Sequence, residues 1–206
     1  MVLRGFRFGM LLQFAIGPLS LMVFNISSAY GVLMGLWLVL AIALVDGLFI
    51  LLAGLGVATI INKDKVKFLV SVIGCIVMVL FGLETIAGTW NYSVLPAISV
   101  FSDVNGYSIF VQGIILTASS PLTIIFWGGV FTAQIVEKKL TRFQLVPFGV
   151  GCVLSTLVFQ AFVAILGNIA SGFLPPPVIQ ILNIAVGIVL IYFGIQLVYK
   201  VLGDRE

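Results

Sequence analysis

Six long apolar runs constrain this chain more than any other feature of its sequence. A helix needs about 20 apolar residues to cross the hydrocarbon of a bilayer. Six such runs occur, at roughly Phe8–Ser28, Leu33–Ile61, Val66–Thr89, Ser108–Val136, Phe143–Phe173 and Val178–Lys200. They are continuous, whereas the strands of a membrane β-barrel are short and alternate, so six transmembrane helices are expected. The second, fourth and fifth runs exceed one crossing, which implies tilt, a break or ends outside the bilayer. Composition agrees: 62% of residues are hydrophobic and 8% charged, against about 45–50% and about 25% in soluble domains. Water-soluble enzymes, nucleic-acid binders and disordered chains are excluded, and the chain reads as an all-α integral membrane protein.

The basic residues give an orientation. Arg4 and Arg7 precede the first run, Lys63, Lys65 and Lys67 lie between the second and third, and Lys138, Lys139 and Arg142 lie between the fourth and fifth. Lys200 and Arg205 close the chain, which accounts for all ten. Basic residues favour the cytoplasmic side, so both termini are expected in the cytoplasm. Arg4, Arg7 and Ser27-Ser28-Ala29 also have the order of a signal peptide, but the run between them is long for a signal.

The two halves resemble each other. Val66–Glu84 aligns without gaps on Val178–Gln196, and both stretches end in Phe-Gly, at Phe81-Gly82 and Phe193-Gly194. The first helix carries Pro18 after Gly17, and the fourth carries Pro121 after Ser119 and Ser120. Each half therefore reads as three helices with a broken first one, and an odd number of helices turns the second copy upside down. Inverted repeats with interrupted helices in matching positions characterise secondary transporters. The expected plan is one membrane domain over residues 1–206, with repeats at about 1–90 and 108–206 and an extracellular linker at about 91–107.

Few side chains in these runs can carry chemistry. A proline inside a helix removes a backbone donor, and in lipid the freed groups need protein or a water-lined cavity. Gly17, Pro18, Ser119, Ser120 and Pro121 are therefore candidates for substrate contact. Asp46 lies near the centre of the second run beside Gly47, where a charge costs a few kcal/mol or more. Such a carboxyl can exist protonated and exchange its proton when a cavity opens to water, so Asp46 is the leading coupling residue. Glu84 is a second acidic candidate, set either in the pathway or at the outer surface. Gln13 and Gln160 are polar candidates for the pathway; Ser20, Asn25, Gln112 and Thr117 are others that glue helices together in the usual case. Gly5-xxx-Gly9 and Gly31-xxx-Gly35 fit the small-residue packing rule but carry no functional weight. The chain has no histidine, so His-based metal sites and general bases are absent. Cys75 and Cys152 lie apart in apolar runs and read as small buried hydrophobes. No enzyme activity, cofactor or resident metal is expected.

Ile16-Gly17-Pro18, Asp46 with Leu55-Gly56 beyond it, Gly74 with Phe81-Gly82, and Gln112-Gly113 followed by Ser120-Pro121 and Phe126-Trp127 occur in that order. In this order and spacing the chain resembles the lysine exporter (LysE/RhtB) family of bacterial amino-acid exporters over nearly its whole length. It departs where that family has Pro-Gly-Pro and Asn-Pro, because Ile16 and Ser120 replace the first proline and the asparagine. The resemblance implies a proton-coupled exporter of amino acids or related small metabolites in a bacterial plasma membrane. Its partners would be the substrate, protons and the lipid bilayer, with no nucleic acid; a homo-oligomer is compatible with the sequence. The alternative is a divalent metal cation exporter of a related fold, which one central carboxylate and no histidine disfavour. A membrane thiol–disulfide shuttle would need two cysteines meeting at the breaks, and a purely structural subunit would have no use for Asp46.

Overall fold

The computed structural model describes residues 1–13, 18–54, 64–90, 92, 105–119, 123, 127, 142–173 and 175–203. The chain is helical, with seven helices among these residues: α1 (Val2–Gln13), α2 (Pro18–Tyr30), α3 (Val32–Gly54), α4 (Asp64–Gly88), α5 (Gly106–Ala118), α6 (Arg142–Ser171) and α7 (Pro176–Gly203). Four segments are long and apolar enough to cross a membrane: Val32–Ala53, Ser71–Gly88, Phe143–Ser171 and Pro177–Gln196; Leu19–Tyr30 and Gly106–Ala118 are shorter apolar helices.

The first apolar run differs from a single helix beginning at Phe8. Helical structure starts at Val2, and a second helix begins at Pro18. Proline is well suited to a first helical position, where its missing N–H would have had no intrahelical partner. Residues 14–17, including Gly17, lie outside the described residues, as do Ser120 and Pro121 in the fourth run. There α5 ends at Ser119, whose N–H bonds the Ile115 carbonyl at 2.9 Å. Its other end is capped by Asn105, which accepts from the Ser108 N–H at 2.9 Å.

A tight turn joins α2 to α3. Gly31 adopts φ +89°, which a side chain disfavours, and its N–H closes the last turn of α2 on the Ser27 carbonyl at 3.0 Å. The first N–H of α3, from Val32, is met by Asn168 Oδ1 of α6 at 3.1 Å, so a neighbouring helix caps the orphan donor.

The bundle is apolar on its outside as well as in its core, with a smaller set of polar side chains buried between the helices. On α3, Leu33, Trp37, Leu40, Leu44, Leu48 and Leu51 form an exposed stripe at helical spacing, while Asp46 on the opposite face is buried. On α6, Val146, Val150, Leu154, Val158 and Phe162 are exposed, and Ser155, Thr156 and Gln160 are buried. A protein in water would gain by the reverse arrangement; one surrounded by hydrocarbon loses nothing by exposing leucine.

Glycines set how closely the helices approach. A Cβ on Gly5 would collide with the Phe148 carbonyl of α6, and one on Gly9 with Ser155 and Cys152. The Gly5-xxx-Gly9 motif is thus the seam that seats α1 on α6. The largest helix pairing is α4 with α7. A Cβ on Gly82 would stand 2.6 Å from the Gly187 carbonyl oxygen and 2.7 Å from Ile191, and one on Gly194 would stand 3.2 Å from the Cys75 carbonyl and 3.4 Å from Val79. In the alignment of Val66 with Val178, Gly82 matches Gly194, Cys75 matches Gly187 and Val79 matches Ile191. Each contact therefore maps onto the other when the two stretches are exchanged, and the helices run antiparallel. The same exchange relates larger pairings: α1 and α2 pack on α6 as α5 packs on α3, and α2 packs on α7 as α5 does on α4.

Candidate functional site

Asp46 is 4% exposed and is met from two sides. Its Oδ2 accepts from the Thr156 hydroxyl of α6 at 3.1 Å, and its carboxylate accepts a second hydrogen bond from the Trp127 side chain. Trp127 is helical and 2% exposed. The Thr156 hydroxyl in turn accepts from Gln13 Nε2 at 2.7 Å. Gln13 is the last residue of α1, so a continuous chain of hydrogen bonds runs from the end of α1 through α6 to Asp46 on α3. A Cβ on Gly47, beside Asp46, would make only ordinary contact with Val153, so the approach of α3 to α6 at the carboxylate does not depend on that glycine.

One helical turn beyond Thr156, Gln160 Nε2 donates to the Ser20 hydroxyl of α2 at 3.0 Å. Residues four apart share a helix face, so α6 holds the chain on both sides of residues 14–17, through Gln13 before them and Ser20 after them. The Gln160 Oε1 acceptor is buried and has no partner among the described residues. Farther along α2, Asn25 Nδ2 donates to Asn183 Oδ1 of α7 at 2.6 Å.

The expected site residues are thus only partly assembled within the described region. Asp46 and Gln13 share one hydrogen-bonded chain, and Gln160 lies one turn away. Pro18 opens α2, and Ser119 ends α5 as its C-terminal cap. Gly17, Ser120 and Pro121 fall outside the described residues. Glu84 is half-buried on α4, whose principal partner is α7. Sequence reasoning missed Thr156 and Trp127. Thr156 carries a usable signal, since it precedes Gln160 by one turn; Trp127 reads in sequence only as an aromatic beyond Pro121.

Chemically the cluster offers one carboxylate from Asp46, the Thr156 and Ser20 hydroxyls, the Gln13 and Gln160 amides and the Trp127 indole N–H. Among the described residues no group of three or more His, Cys, Asp or Glu is placed to hold a metal ion. Both cysteines are free thiols, and Cys152 is engaged, its Sγ donating to the Gly5 carbonyl at 3.5 Å.

An apolar-skinned helical bundle with a buried carboxylate tied to the end of a short helix marks a membrane protein with a polar site in its interior. The chain belongs to the family described as LysE type translocator, whose model matches residues 10–201. The family consists of transporters, not enzymes. A Bacillus subtilis (strain 168) protein named "Putative amino acid efflux protein YcgF" is 25% identical over 161 residues, covering 75% of this chain and 74% of that one. No solved structure matches the chain.

Proposed function

We propose that this chain exports amino acids or related small metabolites across a bacterial plasma membrane in exchange for protons, with Asp46 as the proton carrier. The observation that carries the reading is the Asp46 carboxylate, buried at mid-span and joined through Thr156 to Gln13 at the end of α1. A charge there is costly, and a permanent scaffold would gain nothing from it. Membership of a translocator family and the efflux name carried by the Bacillus relative support the outward direction and an amino-acid substrate. Backbone groups at Gly17-Pro18 and Ser119-Ser120-Pro121 would hold the amino and carboxylate groups of the substrate, with Gln13 and Gln160 as side-chain contacts. Glu84 is a second proton-handling candidate. Asp46 would hold either a proton or the substrate cation, which couples the two fluxes.

Six crossings in two inverted copies, at about 1–90 and 108–206 with a linker between, would supply alternating access. The contacts exchanged between α4 and α7, and their antiparallel course, support this reading. The positions of the ten basic residues support cytoplasmic termini. Cation export is the weaker account, because a hard metal ion calls for several oxygen ligands and the cluster has a single carboxylate.

Purified protein in liposomes under a pH gradient, screened with pooled labelled amino acids, tests the proposal. At least one pool should move with the gradient, and Asp46→Asn should abolish that drive. Flux of divalent metal ions in place of every amino-acid pool would overturn it.

A further inference from the structure

The hydrogen bonds around Asp46 have a consequence for how a proton on that residue is felt elsewhere. The Thr156 hydroxyl has one hydrogen and two acceptors in reach: Asp46 Oδ2 at 3.1 Å and the Cys152 carbonyl, one turn back on its own helix, at 3.5 Å. Gln13 Nε2 donates to that same hydroxyl oxygen at 2.7 Å. When a hydroxyl donates to a carboxylate, its oxygen becomes a better acceptor, so an ionised Asp46 strengthens the hold on Gln13. A proton taken from water onto Asp46 removes that charge. The hydroxyl then faces a neutral carboxyl, a weaker acceptor that competes less well with the Cys152 carbonyl, and its grip on Gln13 weakens. The Trp127 hydrogen bond loses its charge assistance in the same step. Release of the proton to water on the other side restores both.

The two arms end on the two runs interrupted by proline. Gln13 terminates α1 before Gly17-Pro18, and Trp127 lies on the segment following Pro121. Among the described residues, α3 carries no charged residue besides Asp46. The α2 and α5 sequences contain no Asp, Glu, Lys or Arg; Arg4 and Arg7 of α1 are exposed. On α6 the charged residue is Arg142, the first of the helix and far from Thr156 in its middle, and Cys152 is bonded to Gly5.

We propose that Thr156 and Trp127 are positioning residues that transmit the protonation state of Asp46 to the two broken helices, clamping both when Asp46 is ionised and loosening both when it is neutral. This rests on the proton-coupled reading above.

The test uses the full chain in liposomes containing a trapped pH-sensitive dye, with an equimolar mixture of the twenty amino acids as probe. Proton flux driven by the mixture is compared with exchange of the tritiated mixture at equal pH. Thr156→Val and Trp127→Phe should each lower the ratio of proton flux to exchange about tenfold, the scale of a typical coupling energy, and Thr156→Ser should restore it. A merely structural role would lower both fluxes together. If Thr156→Val fails to give monodisperse protein, Gln13→Leu cuts the same chain one bond further on and should lower the same ratio. A wild-type ratio in Thr156→Val or in its Gln13→Leu substitute, or no recovery in Thr156→Ser, overturns the transmission while leaving coupling at Asp46 intact. Amino-acid exchange by the wild type without any proton flux overturns the proton reading, and the transmission with it.

Discussion

At the scale of single residues, a buried polar group in this bundle is informative only when its partners are counted. Ser20, Thr156 and Gln13 are joined to one another's helices by side-chain hydrogen bonds, and Asn25 is matched by Asn183. Gln160 is different: its amide nitrogen is satisfied and its Oε1 has no partner among the described residues while only 3% of the residue is exposed. An unsatisfied buried acceptor costs about 1–3 kcal/mol, and a substrate ammonium group would relieve it. Gln160→Leu is therefore expected to raise the KM for amino-acid export about tenfold or more, the equivalent of one such bond, with a smaller change in maximal rate. Initial export rates from loaded proteoliposomes measure this, and an unchanged KM would remove Gln160 from the binding role.

At the scale of helices, glycine placement decides which elements can touch. The seam of α1 on α6 brings backbone against backbone at Gly5 and leaves no room for a side chain at Gly9. Gly9→Val should destabilise the protein by about 1–3 kcal/mol, the usual cost of overpacking, and displace Gln13 from Thr156. Both effects are readable, the first as a lower thermal midpoint in detergent and the second as weaker proton coupling. Gly31 answers to a different constraint, its positive φ in the α2–α3 turn. There Gly31→Ala has room but costs about 1–2 kcal/mol in backbone strain, so its thermal midpoint should fall with little change in the coupling ratio.

At the scale of the whole molecule, the exchange of contacts between halves concerns how the fold moves. Gly82 meets Gly187 and Ile191 as Gly194 meets Cys75 and Val79, so α4 and α7 form an antiparallel seam, the one about which the two halves would rock in the proposed alternating-access cycle. The proposed topology makes a labelling prediction. In a background with Cys75 and Cys152 replaced, Lys65→Cys and Arg205→Cys should react with a membrane-impermeant thiol reagent only from the cytoplasmic side, and Tyr92→Cys only from outside. Reaction of Lys65→Cys and Tyr92→Cys from one common side would overturn the six-crossing plan.

What the sequence by itself determined follows from burial in hydrocarbon. Long apolar runs leave a chain no stable state outside the bilayer, so the helical membrane class was legible without coordinates, as was Asp46, whose cost is unmistakable in that setting. The family was legible from the order of Gly17-Pro18, Asp46 and Ser120-Pro121, and the match over residues 10–201 bears it out. The partners of Asp46 were decided only by the tertiary structure. Thr156 has a local acceptor in the Cys152 carbonyl one turn back, so its sequence shows its helix face but not that its hydroxyl reaches Asp46. Trp127 reads as one more aromatic in an apolar run. A hydrogen bond joins residues 110 positions apart, as between Thr156 and Asp46, only once helix packing has set which faces meet. Packing here turns on where glycine backbones approach, and only the folded chain sets those approaches.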